Sequence, residues 1–157
     1  MKPELAEIGD IRQLAIHHRN MFEEIWDQKG LLLEDAKALE LEKAYFEKLE
    51  KQIPEGICKA WVVKKNGHIL ASGAITIISL VPVPNDINYN IAYMHSVYTE
   101  REFRGRKHAR QIIERAIDYC RGNGIKRVLL NASDEGKPIY EKCGFVSVAE
   151  TMRLFIE

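Results

Sequence analysis

Between Arg101 and His108 stand three arginines, a lysine and a histidine around a lone glycine, Gly105. The group falls where an apolar, β-branched run ending near Thr99 gives way to helical spacing. A helix starting there points several unpaired backbone N–H groups, and the positive end of its dipole, out ahead of the turn. Cationic side chains around such a terminus make an anion site, most naturally for a phosphate or pyrophosphate. Other residue types that do chemistry are scattered along the chain. His95, with Ser96 beside it, can titrate near neutrality from a strand. His18 falls on the apolar stripe of a first helix, close to Glu23 and Glu24, and Asn131 and Ser133 follow an apolar strand. Tyr140 lies in Ile139-Tyr-Glu-Lys-Cys-Gly-Phe145, just after Lys137.

Those groups need a scaffold, and hydrophobic spacing supplies one. Ile11, Leu14, Ala15, Phe22 and Ile25 recur at helical intervals between Asp10, a plausible N-cap, and Gly30. A second helix, rich in Glu, Lys, Leu and Ala, is expected from about Glu34 to Gln52, stopped by Pro54 and Gly56. Lys59 to Lys65 reads as a strand, Asn66-Gly67 as a type I′ hairpin turn, and His68 to Leu80 as the return strand. Within that strand Gly73 marks a bulge or a close-packing point. A loop with Pro82 and Pro84 follows, then a strand from Asn88 to Tyr98 that feeds the basic turn. From Lys107 to Arg121, the positions Ala109, Ile112, Ile113, Ala116, Ile117 and Cys120 form one apolar helical face. Val128 to Leu130 is a short buried strand after that helix, completing a right-handed βαβ unit with parallel strands. A short helix over Lys137 to Lys142 and a closing hairpin, Phe145 to Ala149 and Met152 to Ile156, finish the reading. No repeat, linker or low-complexity stretch divides residues 1–157, which are expected to form one domain.

Composition excludes several classes. Lys+Arg and Asp+Glu both number 23, so the formal net charge is zero and no nucleic-acid surface is expected. Cys58, Cys120 and Cys143 are odd in number and lack CxxC spacing, which argues against a disulfide framework and against a metal site. The first residues hold no apolar signal-peptide core, and no stretch suits a membrane helix, so a cytoplasmic protein is expected. G-x-G-x-x-G and G-x-x-x-x-G-K-[ST] are both missing, which disfavours a dinucleotide fold and a nucleoside triphosphatase.

Phe103-Arg-Gly-Arg-Lys-His-Ala109 after Val97-Tyr-Thr, followed by Leu130-Asn-Ala-Ser133 and Gly136-Lys-Pro-Ile-Tyr-Glu-Lys-Cys-Gly-Phe145, resembles the GNAT superfamily of acyl-CoA-dependent N-acetyltransferases. The resemblance covers Cys58 to Glu157, and His18-Arg-Asn-Met-Phe22 extends it to the helix pair in front. In that family a strand leads into an [RQ]-x-x-G-x-[GA] turn whose amides hold the coenzyme A pyrophosphate. With Gly105 taken as the first glycine, Glu102 replaces the usual Gln or Arg, and Lys107 the second Gly or Ala.

The resemblance implies an α/β fold with a mixed, twisted central sheet flanked by helices and splayed at the cofactor site. It implies acetyl-CoA as cofactor, held by Arg104, Gly105, Arg106, Lys107, His108, Ala109 and Arg110. Val97, Tyr98 and Thr99 would pair with the pantetheine arm as though it were an added strand, the Val97 N–H polarising the thioester. Asn131 and Ser133 would border that arm. Tyr140, whose phenol has an unperturbed pKa of about 10, would be the general acid for the departing thiolate. Phe22, Trp26 and His95 would line the acceptor pocket of an enzyme that acetylates a primary amine, small molecule or peptide, by direct attack in a ternary complex. The rival expectation is a non-catalytic coenzyme A-binding sensor or partner module. A homodimer is compatible with either, and no membrane partner is expected.

Overall fold

The computed structural model describes residues 1–157. Its elements, in chain order, are β1 (Glu4–Leu5), α1 (Ile11–Gln28), α2 (Asp35–Gln52), β2 (Cys58–Lys65), β3 (His68–Ser79), β4 (Asn90–Thr99), α3 (His108–Gly122), β5 (Val128–Leu129) and α4 (Lys137–Lys142). One five-stranded sheet runs in the order β1-β2-β3-β4-β5. Its neighbours are antiparallel except β4 and β5, which pair in parallel at Ala92–Val128 and Tyr93–Leu129. This is the mixed sheet flanked by helices that the sequence implies.

The two-residue period of the strands divides the core. Ala60 and Val62 of β2 face a cluster with Ile11, Leu14, Tyr45 and Leu49, under α1 and α2. Trp61 and Val63 point the other way, into a cluster with Ile112, Ile113, Ala116 and Cys120 of α3. The helix pair therefore covers one face of the sheet and α3 the other.

Gly73 fills both roles expected of it. Opposite it, Ser96 and Val97 of β4 face one residue of β3, since Ser72 pairs with Tyr98 and Ala74 with His95. That is a β-bulge, and it bends β4. A Cβ at Gly73 would stand 2.8 Å from Ile112 Cγ2 and 3.1 Å from Val97 Cγ2, so α3 packs where only glycine leaves room.

Two expectations fail, and one strand is additional. Asp10 precedes α1, but its carboxylate does not cap it; Oδ2 accepts the Glu7 N–H at 2.8 Å, and Lys64 pairs with Oδ1. β1 was not foreseen, because two residues are too few to show alternation. The closing hairpin does not form: residues 145–157 contain no strand, and Met152, Leu154 and Ile156 lie in solvent.

Candidate active site

The basic turn is built by backbone conformation. A 3₁₀ turn, Arg101–Phe103, follows β4, and then Gly105 (φ 79°) and Lys107 (φ 66°) both take left-handed conformations before α3 begins at His108. Arg104 N–H donates to the Arg101 carbonyl, and Gln111 N–H to that of Lys107. Between them, six consecutive N–H groups, Gly105 to Arg110, have no acceptor in the protein. Successive amides around left-handed residues form an anion-binding concavity, reinforced here by the start of a four-turn helix.

This geometry also resets the motif's register. Lys107 occupies the left-handed position that glycine favours, so Arg104-x-x-Lys107-x-Ala109 matches [RQ]-x-x-G-x-[GA] with one departure. Glu102 belongs to the preceding 3₁₀ turn and is outside the pattern. A lysine in that conformation costs about 1 kcal/mol over glycine.

Arg104 is spent on holding the turn. Its Nε donates to the Thr99 carbonyl at 2.8 Å and its Nη2 to Glu24 Oε2 at 2.7 Å, binding α1 to the end of β4. Glu24 also accepts from the Tyr98 hydroxyl (2.9 Å) and Arg101 Nε (3.2 Å). Burial raises the Glu24 pKa, and hydrogen bonds from Arg104, Tyr98 and Arg101 outweigh it, leaving the carboxyl below its usual range. Burial and the Glu24 contact push the Tyr98 phenol up to about 12. Glu24 is thus occupied within the protein and is not free to attract a cationic amine.

In front of the turn opens a cleft of about 1090 Å³. β5 pairs with β4 only at Ala92 and Tyr93, so from Met94 to Thr99 the outer edge of β4 is unpaired and lines the cleft. An extended ligand can add to such an edge as a strand does. His108 lines the cleft too; its ring is buried, and neither nitrogen has a hydrogen-bond partner, nor does the buried Thr99 Oγ1. On the facing wall Asn131 Nδ2 donates to the Tyr93 hydroxyl at 2.9 Å, and Ser133 Oγ accepts the Gly136 N–H at 3.1 Å. Tyr140 projects into the cleft from α4, its ring edge-on to Phe145. Burial, with smaller contributions from Cys143 and Tyr93, raises its phenol to about 12, so it stays protonated throughout the neutral range.

At the other end, the bulge gathers a hydrogen-bonded chain. Ser96 sits at φ 59°, a strained conformation for a residue other than glycine, which aims its hydroxyl at two histidines. Ser96 Oγ is 2.7 Å from His18 Nδ1 and 3.1 Å from His95 Nδ1. His95 also bonds the Tyr45 hydroxyl (3.1 Å) and Thr76 Oγ1 (2.8 Å), while His18 stacks on Tyr45 at 3.9 Å. Burial, then Lys48 and His18, lowers His95 to about 3; burial alone lowers His18 to about 4. Both imidazoles are neutral at pH 7. Lys48 lines this end and hydrogen-bonds only Gln52; no carboxylate pairs with it.

The cleft therefore brings together most residues singled out in the sequence: Val97, Tyr98 and Thr99; Arg104, Gly105 and Lys107 to Arg110; Asn131, Ser133 and Tyr140; Phe22 and His95. Two stay outside. Arg106 turns back over the Phe103 ring, and Trp26, one helical turn past Phe22, faces solvent rather than an acceptor pocket. Glu23 pairs with Arg19 on the outer surface of α1. Sequence reading missed Tyr45, Lys48 and Thr76. Tyr45 and Lys48 stand three apart on α2, a spacing that placed them on one face, yet nothing local says that this face meets β4.

With this geometry in place, comparison with known proteins decides the family. The acetyltransferase (GNAT) family model matches residues 19–145. The chain belongs to the GNAT acetyltransferase family. Acetyl-CoA is the cofactor of that family. Among solved structures, a predicted acetyltransferase with acetyl-CoA from Clostridium acetobutylicum shares 22% identity at a TM-score of 0.85, over 98% of this chain and 95% of that one. A GCN5-related N-acetyltransferase from Ralstonia eutropha JMP134 shares 20% at a TM-score of 0.86, over 98% and 97%. The glucosamine 6-phosphate N-acetyltransferase of Arabidopsis thaliana is 29% identical over 65 residues, 41% of this chain and 44% of that protein. The match thus spans less than half of that curated relative's length.

Proposed function

We propose that this chain, acting as one domain, moves the acetyl group of acetyl-CoA to the amine of an acceptor that also carries an anionic group. The observation that carries this reading is the meeting, in one cleft, of six unpaired amides, an unpaired stretch of β4 edge and a buried protonated tyrosine. Acetyl-CoA supplies the activated thioester. The amides of Gly105 to Arg110 and the unpartnered ring nitrogens of His108 fit its phosphates, and the Met94–Thr99 edge fits its pantetheine arm. Next to the bulge, a backbone N–H at Val97 would polarise the thioester carbonyl, as preorganised donors do for developing negative charge. Tyr140 would give its proton to the departing sulfur.

The acceptor would enter from the end walled by Phe22, His18 and Tyr45. There, histidines with pKa values near 3 and 4 do not keep a proton. They serve as neutral hydrogen-bonding groups that hold the amine, whose proton leaves to the water of the open cleft. Lys48, a cation without a carboxylate partner, favours an acceptor bearing phosphate or carboxylate. Glucosamine 6-phosphate, on which the Arabidopsis relative is named to act, has that character.

Calorimetric titration with acetyl-CoA, followed by thiol-release kinetics on paired acceptors, tests the proposal. Glucosamine 6-phosphate would be run against glucosamine, and amino acids against their amides. The expected result is cofactor binding, turnover, and preference for the anionic member. Lys48→Met should raise KM for anionic acceptors about tenfold and leave neutral ones unchanged. Binding without turnover of any amine would favour the non-catalytic module instead.

A further inference from the structure

Outside the cleft, one cluster of titratable side chains takes no part in its chemistry. His17 of α1 is fully buried, with Nδ1 2.8 Å from Ser72 Oγ and Nε2 3.2 Å from Glu100 Oε1. His68, at the start of β3, meets the other carboxylate oxygen, Oε2, at 2.8 Å. Serine, histidine and carboxylate in that order make a nucleophilic triad when a substrate can reach the hydroxyl. Here Ser72 is 2% exposed, and none of these side chains lines the cleft. The chain therefore holds something in place instead of attacking it.

Its protons have fixed positions. Burial lowers the His17 pKa, more than the hydrogen bond and charge of Glu100 raise it, so the ring is neutral at pH 7 and has a single N–H. Burial raises the Glu100 pKa, and hydrogen bonds from His68 and His17 outweigh it, leaving an ionised carboxylate that can only accept. The N–H of His17 is thus at Nε2, and the bare Nδ1 accepts the Ser72 O–H.

Glu100 is the first residue past β4 and opens the 3₁₀ turn that leads to Gly105. Its N–H donates to the Leu70 carbonyl and its own carbonyl accepts the Phe103 N–H, both at 2.9 Å. His17 and Glu24 stand two turns apart on one face of α1. Glu24 holds Tyr98, Arg101 and Arg104, and His17 holds Glu100 between them. Behind His17, Ser72 is the β3 partner of Tyr98, at the edge of the bulge. α1 thus grips the whole stretch that delivers the six unpaired amides.

We propose that Glu100, held by His17 and Ser72, is a positioning residue for the cofactor: it sets the path from β4 into the turn, so that the Gly105–Arg110 amides are preorganised for phosphate. This rests on the reading that those amides hold the phosphates of acetyl-CoA. The sign of the effect separates positioning from charge. Glu100 stands five residues before Gly105, and a carboxylate there repels a phosphate. On charge alone, removing it would tighten cofactor binding. Positioning gives the reverse, because a turn that must be ordered on binding loses affinity.

The experiment compares acetyl-CoA with S-acetylpantetheine, which carries the same thioester and no phosphate. In the wild type, acetyl-CoA should have the lower KM. Glu100→Ala should raise KM for acetyl-CoA about tenfold with kcat held. Its KM for acetylpantetheine should match the wild type, and so should its circular dichroism. Glu100→Gln keeps an oxygen for the His17 N–H without the charge and should recover most of the loss. Ser72→Ala frees His17 to turn its N–H away from Glu100, and should raise KM for acetyl-CoA by a smaller factor. Nitrogen NMR of the wild type, which needs no activity, should show His17 as the Nε2–H tautomer. Equal KM values for the two thioesters in the wild type would remove the phosphate reading, and the positioning role with it. A wild type that prefers acetyl-CoA, with a Glu100→Ala variant that keeps or lowers that KM, or raises both KM values alike, would overturn positioning alone. A proton on His17 Nδ1 in place of Nε2 would overturn it as well.

Discussion

Gly73→Ala tests how the sheet, the cofactor turn and the bulge are joined. The new Cβ would stand 2.8 Å from Ile112 Cγ2, roughly 0.7 Å inside the ordinary carbon–carbon separation of about 3.5 Å. It would also stand 3.1 Å from Val97 Cγ2. Neither neighbour can swing clear. Ile112 is β-branched on a helix and 1% exposed, and Val97 is held in the bulge. Either α3 lifts from the sheet, carrying the Gly105–Arg110 amides with it, or β4 shifts at the thioester position. Overpacking of this kind costs about 1–3 kcal/mol, and each kcal/mol lowers Tm by roughly 2–4 °C in a chain of this size. The expected outcome is a Tm loss of roughly 2–12 °C by calorimetry, with KM for acetyl-CoA raised several-fold. Gly122→Ala is the control, because its Cβ meets nothing within 4 Å; its Tm should match or slightly exceed that of the wild type. A Gly73→Ala variant with wild-type melting and wild-type KM would refute the reasoning.

Three further outcomes are expected. Tyr140→Phe should lower kcat by about 100-fold or more and leave calorimetric acetyl-CoA affinity unchanged. Because the phenol is pushed up to about 12, the wild-type rate should show no loss of this acid up to about pH 10; unaltered turnover would remove Tyr140 from the mechanism. Lys107→Gly relieves a left-handed lysine and should raise Tm by about 2–4 °C, while the lost charge weakens cofactor binding most at low salt; an unchanged Tm would show no strain there. His18 and His95 take protons far less readily folded than unfolded, where each has a pKa of about 6.5. Their burial is therefore without penalty above pH 6.5, and stability falls as pH drops from 6.5 towards 4, by about 1 kcal/mol per pH unit for each histidine. Thermal melts across that window check the sign, and His95→Gln should flatten the profile.

The elements that could be read from sequence were those with a local cause. Asn66-Gly67 sets the hairpin, the apolar face from Ala109 to Cys120 sets α3, and helical spacing with Gly30 and Pro54 bounds α1 and α2. The basic turn was visible because residue type and position at a strand–helix junction determine which amides are left unpaired. Three things required the folded chain. Lys107, not a second glycine, takes the left-handed position, since φ is set by the path from β4 into α3. Arg104 is committed to Glu24, 80 residues earlier, a pairing that no local pattern encodes. The chain from Tyr45 through His95 and Ser96 to His18 joins α2, β4 and α1 at the bulge opposite Gly73. Sequence alone thus determined which segments are helix or strand and where an anion can bind, because those follow from short-range spacing. Only the tertiary structure decided which charges are already paired and which histidines are kept neutral, because each depends on what distant segments bring into contact.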